Sequence, residues 1–459
     1  MTDPLPTAAR VADPGLRTLY SQESRWQAWL DVEVALAGAQ AELGIIPAPA
    51  AAAIARAARL DLLDRRRIEQ GFARTGHTLV PLVWELSRIV GEPHGGWVHW
   101  GATTQNITQT GDLLLLKRAH GIFLRLLGDV LTALAALAER GAAMPIAART
   151  HGQHALPATF GLKPAVWIDE FLRHVERLHQ VSPRLFVAML GGGAGTFASL
   201  GRHGPAIQAA VGRRLGMGAM AVPSRAVADH LAENACLLGL LAASCSKVAR
   251  EVYTLMKTEF GEVEEPVPPG TVGSSTMPQK RNPKLCQDII ALAAEVRSLV
   301  PLALEAMQTE HEADRTTSLM LATVEARAAI GVGDLLGRLG EVLRGLRLLP
   351  ERMRSNLERG GGLIMAEAVM LELGSVIGRQ TAHDVVYDAA QAAIATQRPF
   401  SNVLAADPRV TAHLDADARE RLLDPMAYTG LCADMAHAAA ARARAMAASI
   451  AAQNAGPGG

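Results

Sequence analysis

The segment at 226–259 most constrains what this chain can become, because it holds HLAENACLLGLLAASCSKVAREVYTLMKTEF without a proline or a late glycine break. Leu237, Leu241, Cys245, Val248, Val252 and Leu255 recur three and four positions apart, the apolar stripe of one long helix. Such a stripe needs partners of similar length. Segments at 110–140, 157–181 and 283–306 have the same character. None shows β-like alternation. Aromatics make up 4% of the chain while Ala and Leu are abundant, which suits helices packed closely on small side chains. An all-α fold with a central long-helix bundle is expected. With 459 residues, two or three domains are expected.

Shorter elements flank the bundle. Residues 1–16 read as a loose Pro/Ala tail. A helix starts near Ser21 and Glu23, capped by Ser21, with Trp26, Trp29, Leu30, Val32, Ala35 and Leu36 at helical spacing; Gly44 stops it and Pro47 and Pro49 follow. Residues 64–110 read as shorter helices broken at Gly71, Gly76 and 91–96. The glycines at 360–362 mark a boundary, and the remainder reads as a small helical domain ending in a disordered Ala/Gly tail. The expected domains are 1–110, 111–359 and 360–459.

Lys plus Arg and Asp plus Glu number 45 each, so the formal charge is zero and nothing points to nucleic acid or a membrane. No uninterrupted apolar run looks long enough to span a bilayer. The start, MTDPLPTAARVADPG, lacks a basic segment followed by an apolar one. Cys236, Cys245, Cys286 and Cys432 form no CxxC pair, so neither a zinc ribbon nor a redox motif is suggested, and a reduced cytoplasmic setting is expected.

The chemistry concentrates in EVEEPVPPGTVGSSTMPQKRNP, a loop at 262–283 where Pro266, Pro268, Pro269, Gly270 and Gly273 forbid helix. Hydroxyls, a fixed cation and an amide lie together at 273–283, and the loop leads into a helix N-terminus near Pro283, which favours anions. A Pro/Gly-rich surface turn with polar decoration would use the same residue types.

The string GSSTMPQKRNP resembles the signature loop of the fumarase/aspartase superfamily, GSSxMPxKxNP. HWGATTQNITQTG at 99–111 is similar to its HxGxTSxD segment. ARTHGQHALPATFGLKPAVW at 148–167 resembles the RTHGxHAxPTTFGLK segment of adenylosuccinate lyases. The nearest subgroups are adenylosuccinate lyase and 3-carboxy-cis,cis-muconate cycloisomerase. The resemblance implies a three-domain subunit, a homotetramer with active sites shared between subunits, and no cofactor or metal. It implies β-elimination of the C–N or C–O type from a substituted succinate or related dicarboxylate, releasing fumarate or an unsaturated acid.

The roles it implies are these. Ser274 is the base. Ser275 and the following amides hold the nascent oxyanion, Lys280 and Asn282 contact the same carboxylate, and Met277 covers the substrate when the loop closes. His151 donates the leaving-group proton. Thr103 and Thr104 grip a carboxylate; the alternative is that they cap the helix starting near 108 or 110. His77, His99, Thr150 and Gln153 complete the substrate-binding set, whereas His154 turns away.

Several positions depart from the pattern. Gln287 stands where the family often has a Glu paired with the histidine; an amide orients an imidazole without raising its pKa. Asn106 replaces an Asp, removing one negative charge. Val227 and Ala228 stand where Gln and Arg precede Asp229. In HEADRTTSLMLATVE, 311–325, Arg315 is the only cation, which disfavours a nucleotide phosphate. EHEA at 310–313 leans towards the cycloisomerase subgroup and RTHGQHA towards the other.

Overall fold

The computed structural model describes residues 5–268, 270 and 274–454, and its framework is helical. Helix α1 (Gln22–Glu42) begins at Ser21, whose hydroxyl accepts the Ser24 amide N–H. Helices α2 (Arg65–Thr75) and α3 (Val80–Val90) pack beside it in a first core containing Trp26, Trp29, Leu36, Ile68 and Leu82. Gly71 does not break α2. A Cβ there would lie 2.6 Å from the Pro81 side chain, so glycine lets α2 close on α3.

The main core is formed by α4 (Thr104–Gly141), α5 (Leu162–Leu185), α6 (Asp229–Leu255), α7 (Lys284–Ser298), α8 (Arg315–Gly345) and α9 (Cys432–Asn454). With 38 residues, α4 is about 57 Å long and crosses the whole bundle. In α6, Leu241, Cys245, Val248, Val252 and Leu255 are buried in this core, whereas Leu237 is only partly covered. By length and composition α4 and α6 would both suffice to cross a membrane, contrary to the expectation from the sequence; their apolar faces are covered mainly by neighbouring helices.

Other expectations also change. Helix α4 starts at Thr104, not near 110, because the Thr103 N–H donates to Asn106 Oδ1 (3.1 Å) and fixes the first turn. Helix α5 starts at Leu162 because 157 belongs to a hairpin, β1 (Pro145–Thr150) against β2 (Gln153–Thr159). Helix α8 is not evident from the sequence, where Gly331, Gly333, Gly337 and Gly340 interrupt the apolar period; in the bundle they admit neighbours such as Val296 and Leu16. The segment 5–16 is not loose. Thr7 is buried, contacts Asp288 and accepts a hydrogen bond from Arg338 Nε (3.0 Å), and Leu16 enters the main core. Helix α9 returns to the bundle and lays Ala436, Ala440 and Ala443 against α4 and α5, while a separate core forms around Val369, Leu373, Val386 and Phe400. Residues 455–459, read as tail, lie outside the described residues.

Where α4 ends and α5 begins, a Cβ on Gly161 would lie 2.6 Å from the Ala138 carbonyl and 2.9 Å from Ala142 Cα. Backbone cannot step aside as a side chain can. Gly161→Ala is therefore expected to destabilise the protein by about 1–3 kcal/mol, read as a lowered midpoint in chemical denaturation.

Candidate active site

The hairpin β1–β2 turns through His151 (φ 52°) and Gly152 (φ 77°), both left-handed, as a two-residue type I′ turn requires. His151 is thus carried at an exposed tip, with Thr150 and Gln153 beside it. Such a backbone costs about 1–3 kcal/mol at a non-glycine residue, so a neighbouring constraint must hold it. Arg149 supplies that constraint. Its guanidinium makes two bonds to Glu262 (3.0 and 2.6 Å) and lies 4.9 Å over the Phe260 ring. Asn356 also donates to Glu262 (2.8 Å), and Glu262 is fully buried.

Glu262 immediately precedes β3 (Val263–Glu264), which pairs with β4 (Arg347–Leu348) at the root of the signature loop. The root is fixed by charge. Glu264 binds Arg281 (2.9 Å) and Arg347 (3.0 Å). Buried Glu265 accepts the Leu285 and Cys286 amides (3.1 Å each). The N-terminus of α7 is therefore occupied by the protein's own carboxylate, and the expectation that it favours a substrate anion is corrected. Pro269 and Gly273 fall outside the described residues.

Beyond them Ser274 Oγ accepts two backbone N–H groups, from Met277 (3.1 Å) and Thr276 (3.3 Å). Ser275, Met277 and Lys280 are exposed, Met277 at 43%, and Asn282 is partly covered. Gln287 is exposed on α7.

A separate cavity of about 530 Å³ gathers His77 and Thr104 with Gln105, Thr108, Gln109 and Asp112 of α4, Arg225, and the start of α8 from Asp314 to Glu325. His151, Ser274, Lys280 and Asn282 do not line it. Thr103 is the residue before α4, so the capping position and the carboxylate-gripping position coincide. Asn106 points inward. It is fully buried, its Oδ1 accepts from Thr103 and Gly192 (3.1 Å each), and its Nδ2 contacts Met189 Sδ (3.1 Å). The amide at this position thus serves the fold, because a carboxylate would set a second anionic oxygen against the sulfur. His99 does not line the cavity either. Its Nδ1 lies 2.6 Å from buried Glu33 Oε1. Burial alone would lower its pKa, but the Glu33 hydrogen bond and charge outweigh that and raise it. The His77 ring nitrogen accepts the Leu79 and Val80 amides (3.3 and 3.4 Å), which sets the ring at the cavity wall.

Sequence reasoning missed several residues here. Arg25 forks onto Asp112 (2.8 and 2.6 Å), with Trp29 Nε1 donating to the same carboxylate (3.2 Å). Glu325 faces this pair. Burial and the Asp112 charge push its pKa up to about 8, with Arg25 opposing. Arg225 reaches the cavity from outside the stretch in which Arg315 is the only cation, so the cavity holds more positive charge than that stretch suggested. Its signal in the sequence was the missing Gln-Arg pair just after it.

The Glu325 shift has a defined sign. The unfolded carboxyl loses its proton near 4.5 and the folded one near 8. Stability from this group is full below the lower value, falls between the two and levels off above the upper. The thermal midpoint of the wild type is expected to fall relative to Glu325→Gln as pH rises from 5 to 8, measured by calorimetry. Parallel profiles would contradict it.

A family model described as "Lyase" matches residues 8–298, and one described as "Adenylosuccinate lyase C-terminus" matches residues 362–439. The chain is 39% identical to N-acetyl-S-(2-succino)cysteine lyase of Enterococcus italicus over 91% of its own length and 92% of the relative's. It is 40% identical to 3-carboxy-cis,cis-muconate cycloisomerase of Pseudomonas aeruginosa, over 90% and 91%. The crystal structure of a fumarate lyase from Mesorhizobium sp. BNC1 superimposes with a TM-score of 0.88 at 37% identity, covering 94% of this chain and 98% of that one. With the helical bundle, the hairpin and the loop in family order, the chain belongs to the lyase family of the fumarase/aspartase superfamily.

Proposed function

We propose that the protein catalyses cofactor-independent β-elimination from a 2-substituted succinate, with Ser274 as the base, releasing fumarate and a thiol. The observation that carries the reading is the pair of backbone N–H groups directed at Ser274 Oγ. A serine hydroxyl is a poor base at neutral pH; donors aimed at its oxygen stabilise the alkoxide and lower its pKa. Lys280 adds positive potential from the same loop. The base takes a proton from the carbon beside a carboxylate, and the developing aci-carboxylate needs hydrogen-bond donors and charge. Ser275, Asn282, Thr103 and Thr104 are the residues assigned to it.

Gln287 bears on the leaving group. At this position the chain supplies an amide where a carboxylate would stabilise a protonated histidine. An alkyl amine, with a conjugate-acid pKa of about 10.4, must be protonated to leave, whereas a thiol of pKa about 8.5 departs as its anion. A sulfur leaving group therefore fits this chain better than the nitrogen or oxygen expected from the sequence. The relative named for N-acetyl-S-(2-succino)cysteine supports the same choice. Thr104 and His77 line one cavity while His151 and Ser274 sit on exposed segments away from it, which supports an active site completed across subunits of a homotetramer.

The second reading is a cycloisomerase of the 3-carboxy-cis,cis-muconate type, favoured by the EHEA string and by the 40% identical relative. Absorbance assays separate them, for fumarate released from N-acetyl-S-(2-succino)cysteine or from an N-(2-succino) amine, and for loss of the conjugated diene of carboxymuconate. Turnover is expected with the thioether, and turnover of carboxymuconate alone would favour the second reading. Ser274→Ala should lower kcat by about 10³-fold or more. Gln287→Glu should raise kcat for the N-linked substrate and leave that for the thioether nearly unchanged.

A further inference from the structure

Apart from Arg315, which is exposed, most charged groups of the cavity have partners within the chain. Asp112 is held by Arg25 and Trp29, Asp314 accepts the Thr316 amide (2.8 Å), and Glu325 keeps its proton at neutral pH. Arg225 is different. Its Nε donates to Gln105 Oε1 (2.9 Å) and one terminal nitrogen to the Gly193 carbonyl (2.5 Å), and no carboxylate pairs with it among the described residues.

Those bonds orient the amides next to it. Because Gln105 Oε1 accepts from Arg225, Gln105 Nε2 faces the other way and donates to the Arg225 carbonyl (3.2 Å) and to Gln109 Oε1 (3.1 Å). Gln109 must then turn its own Nε2 onward, where it is buried and without a partner. A cation with one terminal nitrogen left over from those bonds and an orphaned donor on one cavity wall are together an unfilled receptor for an anion. Both residues belong to the lining that also includes Thr104, and Gln109 lies about 7 Å further along α4 than Thr104. One guanidinium nitrogen and one amide suit a planar carboxylate; Arg25, the nearby fork that would complete a phosphate clamp, is already committed to Asp112.

We propose that Arg225 and Gln109 form a carboxylate receptor that binds a carboxylate of the substrate. The proposal deepens the thioether-lyase reading and rests on it for the identity of the substrate. That carboxylate belongs either to the succinyl moiety or to the leaving group.

The test compares N-acetyl-S-(2-succino)cysteine with the S-(2-succino) derivative of N-acetylcysteamine, a thioether that lacks the leaving-group carboxylate. Arg225→Gln is expected to raise KM by about 10- to 100-fold, with kcat changed far less. A rise confined to the first substrate places the leaving-group carboxylate on Arg225, and an equal rise with both places the succinyl carboxylate there. Unchanged KM with both, or loss of kcat alone, overturns the proposal. Gln109→Leu removes the orphaned donor together with the acceptor of Gln105 Nε2, which keeps its bond to the Arg225 carbonyl; it should raise KM several-fold, and an unaltered KM would count against the receptor. If the wild type converts neither thioether, the thioether reading fails, and calorimetric titration with succinate and with N-acetylcysteine decides the receptor separately. Binding weakened by Arg225→Gln supports it; binding that is absent, or equal in both proteins, overturns it.

Discussion

The buried pair between Arg149 and Glu262 is the contact on which the proposed chemistry depends. It joins the hairpin whose tip carries His151 to the root of the loop that carries Ser274, the proposed base. A pair this deep is costly to desolvate, and it persists because the geometry is bidentate and Asn356 supplies a further donor. Removing either partner would strand a charge in the core. The strained turn at 151–152 is then held from its base, which leaves the imidazole exposed at the tip.

The loop shows the same division between a fixed base and a presented tip. Glu264 and Glu265 consume cations and helix-end amides that a substrate could otherwise use, and in doing so they anchor both ends of the segment. What remains for chemistry is short-range: two amides on one serine oxygen, with Lys280 close by in sequence. The cavity between α4 and α8 is built differently, from side chains on several elements, among them a row along α4, and suits binding more than proton transfer.

How much was legible in the sequence depended on the range of the signal. The stripe at 237–255 gave a long helix because its spacing is local, and Ser21 gave a helix start for the same reason. The motif residues could be named, but not which of them would share a cavity. Helix α8 was hidden because its glycines serve neighbours distant in sequence. The hairpin was hidden because PIAART has too little alternation to read as a strand. The segment 5–16 read as a tail because Thr7 finds its partners at 288 and 338. Glu325 was invisible for a related reason, since its significance lies in what surrounds it in space, and Arg225 was flagged only by the missing pair at 227 and 228.

The central claim is that a hydroxylate at residue 274 removes the proton on the carbon adjacent to a carboxylate. The reverse reaction reads it most directly. Fumarate and N-acetylcysteine are incubated in D₂O, and the product is followed by NMR. The account predicts one deuteron at the methylene carbon, in a single configuration, delivered by the wild type and not by Ser274→Ala. Stereospecific incorporation at the wild-type rate in Ser274→Ala would contradict it.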